Sequence, residues 1–209
     1  MARMCRYSHP LVWLKRLRNR KGYGIHSPFA FEYITYVIYE RTPYYIYKDL
    51  VDEERRLQTE RGREWACSES LKLKRLLFRM VNRAQPDVVV EAGPSSSASL
   101  YIKGGKAGAR YFSVSDKEDL DHMPESRIDF LYLHATDTRW MREVLTQCLP
   151  LAHAHSVFAI QGIGWSKACK QLWNEVKQAD GTGITFDLYD LGILMFNPDY
   201  NKQDYIINF

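Results

Sequence analysis

The spacing of apolar residues divides the chain into a helical first part and an alternating second part. Before Pro86, apolar positions recur every three or four residues, which is typical of amphipathic helices. Ser27 is the predicted cap of one such helix, with Pro28 at its first position, and Pro86 ends the last one. The pattern predicts helices over residues 10–20, 28–40 and 69–84, and a further helix that opens in TPYYIYKDL and continues through the charged residues after it.

After Pro86 the chain changes to short β-branched and aromatic runs that alternate with helical segments. The run DVVVEAG is apolar without interruption, which is typical of a strand buried on both faces of a parallel sheet. Further strands are predicted at ARYFSV, IDFLYLHA, HSVFAIQGIG, ITFDLYD, GILMFN and DYIINF, and helices at SASLYIKG, TDTRWMREVLTQCLPLA and SKACKQLWNEVKQA. This alternation predicts a doubly wound α/β sheet.

The two parts define the predicted domain organisation. We expect residues 1–84 to form an N-terminal helical cap and residues 85–209 a Rossmann-like core, together one compact unit. From Asp116 to Arg127 there are only twelve residues. Because a crossover between parallel strands needs about a dozen residues by itself, a helix and a further strand do not fit there. We therefore expect the sheet to be one strand short at that edge.

Positive charge is concentrated at the start of the chain. The net charge is +4, but residues 1–21 hold seven Arg or Lys residues and no acid, which leaves −3 for the rest. This distribution argues against a nucleic-acid surface along the whole chain. The basic helix over residues 10–20 carries Trp13 and an apolar stripe. It either lies on an anionic membrane surface, binds nucleic-acid phosphates, or docks its stripe on the domain.

Other features concern the compartment and the assembly. No run of about 18 apolar residues occurs, so no transmembrane segment is expected. The four cysteines are scattered and form no C-x-x-C, which favours free thiols, a reducing compartment and a cytoplasmic location, with no structural metal site. Both a monomer and a homodimer are compatible with the sequence.

The segment VVVEAGPSSSAS is the best candidate for chemistry. A buried strand ends in the acid Glu91, and Gly93 begins a small-residue turn that permits close backbone approach before a helix. Ser95 and Ser97 add hydroxyls and backbone N–H groups near that helix N-terminus. The segment lacks both G-x-G-x-x-G and the Walker G-K-[ST] ending. The alternative is a tight turn with a capping serine.

Two histidines and a tyrosine are further candidates. His26 lies in a glycine-rich loop before a helix, where a neutral imidazole is suited to accept a proton near pH 7. The alternative is that His26 only ties the loop to the body. His134 follows a strand and is a candidate base. Tyr23 either closes over a cofactor or has only a structural role in packing. No G-x-S-x-G elbow occurs, which argues against a serine hydrolase.

The order of several segments resembles a family of class I S-adenosylmethionine-dependent methyltransferases common in Bacteroidetes and related to small O-methyltransferases. The segments are GYGIHSPFAFEYITYVI, LKLKRLLFRMVNRAQP, VVVEAGPSSSASLYI, IDFLYLHA, GIGWSKACKQLWNEVK and DLYDLGILMF. The resemblance implies a reversed hairpin at one sheet edge and S-adenosylmethionine over the first strand. Glu91 then stands at the family's acid, Gly93 at its retained glycine, and Ser115 or Asp116 at the acid that binds the ribose.

The chain also departs from that family, as a divergent member with degenerate cofactor motifs. Ser97 stands where a second glycine is usual, His134 replaces an aspartate, and Gln161 and Gly162 replace a pair of acids. Since those acids hold a metal or serve the acceptor hydroxyl in related O-methyltransferases, the resemblance implies methyl transfer without a metal.

Two functions remain open on this basis. The first is methyl transfer to a small-molecule acceptor, with Glu91, Gly93, Ser95, Ser97, Asp116 and Tyr23 around S-adenosylmethionine and His26 and His134 in catalytic roles. The second is a non-catalytic, methyltransferase-like binding or assembly protein. Tyr101 or Tyr132 filling the space at the turn would favour the second.

Overall fold

The computed structural model of the protein describes residues 25–124 and 126–209. The predicted basic helix over residues 10–20 and the predicted cofactor residue Tyr23 lie outside the described residues. Within the described ranges, none of the helices is long and apolar enough to cross a membrane. Helices and strands are numbered from the first described residue.

The described chain divides into two compact units that are interleaved in sequence. The first unit contains the described residues up to Gln85, the segment 95–107 and Asn208. The second unit contains the segments 86–94 and 108–207 and the last residue, Phe209. The chain therefore leaves the first unit before the first strand and returns to it for one helix before the second strand.

The first unit is helical. Ser27 caps its first helix as predicted, because the hydroxyl accepts the N–H of Ala30 at 3.3 Å. Ser70 caps a later helix in the same way through the N–H of Leu73 at 3.2 Å. The described helices are α1 (Pro28–Tyr33), which continues into a π-helical turn (Ile34–Ile38), α2 (Ile46–Arg61), α3 (Arg63–Cys67), α4 (Leu71–Ala84) and α5 (Ala98–Gly105).

Aromatic side chains from α2, α4 and α5 form an interior cluster in the first unit. Tyr47 of α2 meets Phe78 of α4 edge to face, with the ring centroids 5.1 Å apart. Leu50 and Tyr101 complete the cluster, and Tyr101 is fully buried. Rings in this orientation stabilise each other beyond the area they bury. Tyr47 and Tyr101 therefore supply core contacts, whereas Tyr36 and Tyr45 are exposed.

The second unit is built on a seven-stranded sheet with the order β2-β1-β3-β4-β6-β5-β7. The strands are β1 (Val88–Ala92), β2 (Arg110–Val114), β3 (Phe130–Leu133), β4 (Val157–Gln161), β5 (Ile184–Asp187), β6 (Leu191–Met195) and β7 (Gln203–Ile206). Strands β1 to β4 are parallel, and β6 runs antiparallel to both β4 and β5. This confirms the predicted α/β sheet with an antiparallel C-terminal hairpin.

The sheet ends at β2 on one side, as the short connection after β2 predicted. Between β2 and β3 the described residues form no strand, as expected, but they do form one short helix, α6 (Lys117–Leu120), which corrects the expectation that no helix fits there. A helix of one turn needs only about four residues. On the other side β7 pairs in parallel with β5. The strand itself was predicted, but its place at this edge was not.

Helices α7 (Thr138–Cys148) and α8 (Lys167–Gln178) cover one face of the sheet. Residues Val90, Leu131 and Phe158 of the sheet pack there against Val144 of α7 and Trp173 of α8. Because side chains alternate along a strand, the residues between these positions point to the other face. The polar side chains Glu91, Tyr132 and Gln161 are among them.

Candidate functional site at the carboxyl ends of the strands

Predicted site residues of the second unit lie at the carboxyl ends of its parallel strands. The chain runs from β1 to β2 on one side and then to β3 on the other, which creates a topological switch point beside β1. In open α/β sheets, ligands bind outside the strand ends at such a point. Glu91 and Gly93 end β1, while Asp116 follows β2 and His134 follows β3. The fold thus brings four predicted residues to the side of the sheet where its parallel strands end.

Glu91 and His134 form a buried pair at this edge. Glu91 Oε1 lies 3.2 Å from His134 Nε2, and the two side chains are 5% and 4% exposed. The backbone N–H of His134 donates to the carbonyl of Ala92 at 2.9 Å, which extends the pairing of β1 with β3 by one step. Two polar side chains, a carboxylate and an imidazole, are therefore adjacent in the interior of the second unit at the ends of β1 and β3.

Gly93 lies directly under the His134 ring. Its φ is +147°, and a Cβ at this position would lie 2.9 Å from His134 Cδ2. Its N–H donates to the carbonyl of Val114 at 2.9 Å. Because Gly93 has no side chain, the imidazole of His134, in the same unit, can pack directly against its backbone.

Tyr132 and Gln161 continue this polar row. The rings of Tyr132 and His134 are stacked, with centroids 4.6 Å apart and planes 9° apart. The hydroxyl of Tyr132 donates to Gln161 Oε1 at 2.5 Å, and both residues are buried. Gln161 accordingly serves as a hydrogen-bond partner of Tyr132. The row from Glu91 to Gln161 crosses β1, β3 and β4.

The end of β2 carries an exposed acid. Asp116 caps α6, since its Oδ1 accepts the N–H of Asp119 at 3.1 Å. Asp119 Oδ2 accepts the N–H of Ser115 at 2.7 Å. Both alternatives that the sequence offered for a ribose contact, Ser115 and Asp116, are exposed. Of the two, only Asp116 has a carboxylate.

Ser97 belongs to the first unit and lies in a buried polar network there. Its Oγ is 3.0 Å from Glu54 Oε1 and 3.1 Å from the carbonyl of Ala66, and it accepts from Lys74 Nζ at 3.2 Å. Its own surface is fully buried. These contacts give Ser97 a structural role within the first unit, and its role in cofactor binding stays a prediction.

Sequence reasoning missed the rest of this network. Lys74 Nζ donates to Glu54 Oε1 and, at 3.1 Å, to the carbonyl of Ala66. The hydroxyl of Tyr101 donates to Glu54 Oε2 at 3.0 Å, and burial together with the Glu54 charge raises the pKa of Tyr101. The available signal was Lys74 itself, which interrupts the apolar stripe of α4. An amphipathic helix rarely carries a charge on its buried face unless the charge is paired.

The remaining predicted residues make none of the contacts described above. His26 and Ser95 are both exposed and belong to the first unit. Tyr23 lies outside the described residues. Among residues 25–124 and 126–209, no three His, Cys, Asp or Glu side chains are grouped as a metal site would require.

The fold is similar to that of solved methyltransferases. An O-methyltransferase from Bacillus cereus in complex with S-adenosylhomocysteine matches 78% of this chain and 94% of its own, with a TM-score of 0.53 and 10% identity. The chain has the fold of the class I methyltransferases. S-adenosylhomocysteine-bound PaMTH1 from Podospora anserina matches 82% of this chain and 97% of its own, with a TM-score of 0.54 and 10% identity.

A third structure extends the likeness. The O-methyltransferase TomG from Streptomyces achromogenes, in complex with S-adenosylmethionine, matches 71% of this chain and 88% of its own, with a TM-score of 0.50 and 11% identity. No family model and no curated protein matches this chain in sequence. At this level of identity, the shared property is the methyltransferase fold.

Proposed function

We propose that this protein transfers the methyl group of S-adenosylmethionine to a small-molecule acceptor without a metal. The observation that carries the proposal is the set of groups at the switch point of the second unit. Glu91 and Gly93 end β1, and an exposed carboxylate, Asp116, follows the neighbouring β2. The matched proteins that contain S-adenosylmethionine or S-adenosylhomocysteine share this fold.

The two carboxylates at the strand ends, Glu91 and Asp116, suit the polar parts of S-adenosylmethionine. Asp116 uses Oδ1 to cap α6, and the described residues place no second hydrogen bond on its carboxylate. That carboxylate can therefore accept hydrogen bonds from ribose hydroxyls. Glu91, held against His134, would orient the methionine part through a hydrogen-bond network. The cofactor itself supplies an activated methyl group on a sulfonium.

His134 and His26 would serve the acceptor. The imidazole of His134, paired with Glu91, would take the proton that an acceptor hydroxyl or amine releases as its new bond to carbon forms. His26 is exposed and would contact the acceptor directly. Ser95, Ser97 and Tyr23 are the further residues that we assign to the cofactor.

Calorimetric titration with S-adenosylmethionine and S-adenosylhomocysteine tests the proposal. We expect micromolar binding by the native protein and at least about tenfold weaker binding by Asp116→Ala, because a charge-assisted hydrogen bond is lost. Asp121→Ala is the matched control, since Asp121 is exposed and was not assigned to the site. Gly93→Arg should abolish binding, with its folding checked by circular dichroism. Absence of binding by the native protein at millimolar cofactor would exclude the proposal.

A second candidate function is a non-catalytic binding protein on the same fold. It is favoured by two contacts at the strand ends, the packing of His134 against Gly93 and the stacking of Tyr132 on His134. In that case the chain's own side chains have replaced the ligand. The same titration separates the two functions, because only the first requires cofactor binding.

A further inference from the structure

The first unit contains a cleft of about 510 Å³ between the α1 segment with its π-helical turn and α4. Aromatic and cationic side chains dominate its wall. They include Tyr33, Tyr36, Tyr44, Arg79 and Arg83. The volume is within the range of small-molecule pockets.

Arg79 places a buried positive charge in this wall. The residue is 7% exposed, and its guanidinium donates from Nε to the carbonyl of Val37 at 2.6 Å and from Nη2 to the carbonyl of Ile38 at 3.2 Å. These hydrogen bonds satisfy two N–H donors of the guanidinium but do not neutralise its positive charge. Among the described residues no carboxylate lies within 4.0 Å of Arg79. Glu40 is close enough for its charge to interact with that of Arg79, but no ion pair joins the two side chains. Because a buried charge is costly unless it is directly paired, the guanidinium is suited to bind a further anion.

Arg83 adds a second guanidinium to the same wall. It lies one helical turn beyond Arg79 on α4, a spacing at which like charges repel. Arg83 is exposed and forms no ion pair among the described residues. Among the described residues, Glu32 is the one carboxylate that lines the cleft, and no ion pair joins it to either arginine. The wall therefore retains a net positive charge.

The chain offers no acid of its own from the N-terminal side. Residues 1–24 contain no Asp or Glu and seven Arg or Lys residues, so that segment cannot supply the missing negative charge. Burial raises the pKa of Tyr33, although the charges of Arg79 and Arg83 oppose this, so its phenol keeps its proton. An anion from outside the chain would therefore complement the positive charge of Arg79 and Arg83.

We propose that this cleft binds a small aromatic carboxylate. The planar guanidinium groups match a carboxylate in shape and charge, and Arg79 and Arg83 would bind it. The rings of Tyr36, which is 63% exposed, and Tyr44 would pack against the aromatic body. This inference concerns the first unit alone and does not depend on methyl transfer.

Calorimetric titration of the full chain with 4-hydroxybenzoate tests the inference. We expect one-to-one binding by the native protein, no binding of the neutral benzyl alcohol, and weaker binding of inorganic phosphate. Arg83→Gln should weaken 4-hydroxybenzoate binding at least about tenfold, because it removes a charged donor at an exposed position that folding does not need. Arg63→Gln is the matched control, since it removes the same charge from an exposed residue outside the cleft.

Three outcomes would overturn the inference. They are the absence of binding by the native protein at millimolar 4-hydroxybenzoate, equal binding by Arg83→Gln and Arg63→Gln, and equal or tighter binding of benzyl alcohol or inorganic phosphate. Tyr36→Ala provides a second readout, since it should weaken the binding of 4-hydroxybenzoate and leave the binding of phosphate unchanged. Arg79 is not the primary test, because its bonds to the carbonyls of Val37 and Ile38 also stabilise the fold.

Discussion

The imidazole of His134 occupies the space into which a side chain at Gly93 would project. An ideal Cβ on Gly93 would lie 2.9 Å from His134 Cδ2, and the φ of Gly93 is +147°, a conformation that other residues rarely adopt. The two residues are 41 positions apart in sequence but are adjacent at the ends of β1 and β3. Their packing couples the turn after β1 to the end of β3.

Gly93→Ala is therefore expected to destabilise the protein. Backbone strain and the contact with His134 should together cost about 1–3 kcal/mol in the free energy of unfolding. Urea denaturation of Gly93→Ala, His134→Ala and the double variant measures the two contributions separately. The double variant should lose at least about 0.5 kcal/mol less than the sum of the single losses, because the steric part is relieved. Strict additivity would contradict the contact.

The buried pair of Lys74 and Glu54 gives a second prediction. Lys74→Met would leave the Glu54 carboxylate buried without its cation, so we expect a loss of about 3–5 kcal/mol in urea denaturation. Adding Glu54→Gln should restore part of this stability, since the amide is neutral and still accepts from Tyr101.

An exposed ion pair on α2 provides the control for that prediction. Arg56 bonds to Glu53 at 2.6 Å, with side chains 58% and 43% exposed. Arg56→Met should cost much less than Lys74→Met, because exposed pairs contribute little. If Lys74→Met and Arg56→Met cost the same, the buried network is not what stabilises the first unit.

Much of the fold was predictable because it depends on local patterns. The apolar run of β1 and the serine cap at Ser27 each involve neighbouring residues, and each predicted its element correctly. The short connection from Asp116 to Arg127 correctly predicted the absence of a strand among the described residues, but it did not predict helix α6. The turn of α1 into a π-helix at Ile34–Ile38 was not predicted, since nothing in the helical spacing distinguishes it. The parallel pairing of β7 with β5 depends on tertiary packing, which the strand pattern alone does not specify.

The candidate site was predictable in position but not in its contacts. The carboxyl ends of the strands follow from the α/β alternation, so Glu91, Gly93 and His134 could be placed at one edge. The partners of Ser97 could not be found this way, because Glu54 and Ser97 are 43 positions apart and no spacing rule joins them. The same is true of the stacking of Tyr132 on His134, which depends on which sheet face each side chain takes.

Thiol labelling should distinguish two cysteines of the native protein. Cys67 is exposed, whereas burial raises the pKa of the Cys148 thiol to about 12. Because the thiolate is the reacting species, N-ethylmaleimide at neutral pH should label Cys67 first, as read by peptide mass spectrometry. In denaturant the two should react at similar rates. Equal labelling in the native state would show that the helix carrying Cys148 opens readily.

Asp129 ties the amino-terminal ends of three strands together in the second unit. Its Oδ2 accepts the N–H groups of Asp87 at 2.8 Å and Val88 at 2.7 Å, and its Oδ1 lies 2.6 Å from His153 Nε2. Burial acts to raise the pKa of Asp129, but these hydrogen bonds and the charge of Arg127 outweigh it and hold the pKa below its ordinary value. The ionised form is therefore the one that the fold stabilises.

Stability should consequently depend on pH through Asp129. Since the folded-state pKa is below the unfolded value of about 3.9, the contribution is fully present above that value and is lost as pH falls through the folded pKa. Asp129→Asn should cost about 1–3 kcal/mol at neutral pH and show a smaller further loss on acidification. Urea denaturation from about pH 7 to about pH 3 measures both effects. Asp199→Asn, at an exposed position, should follow the native curve. An Asp129→Asn curve parallel to the native one would show that Asp129 is not linked to the acid response.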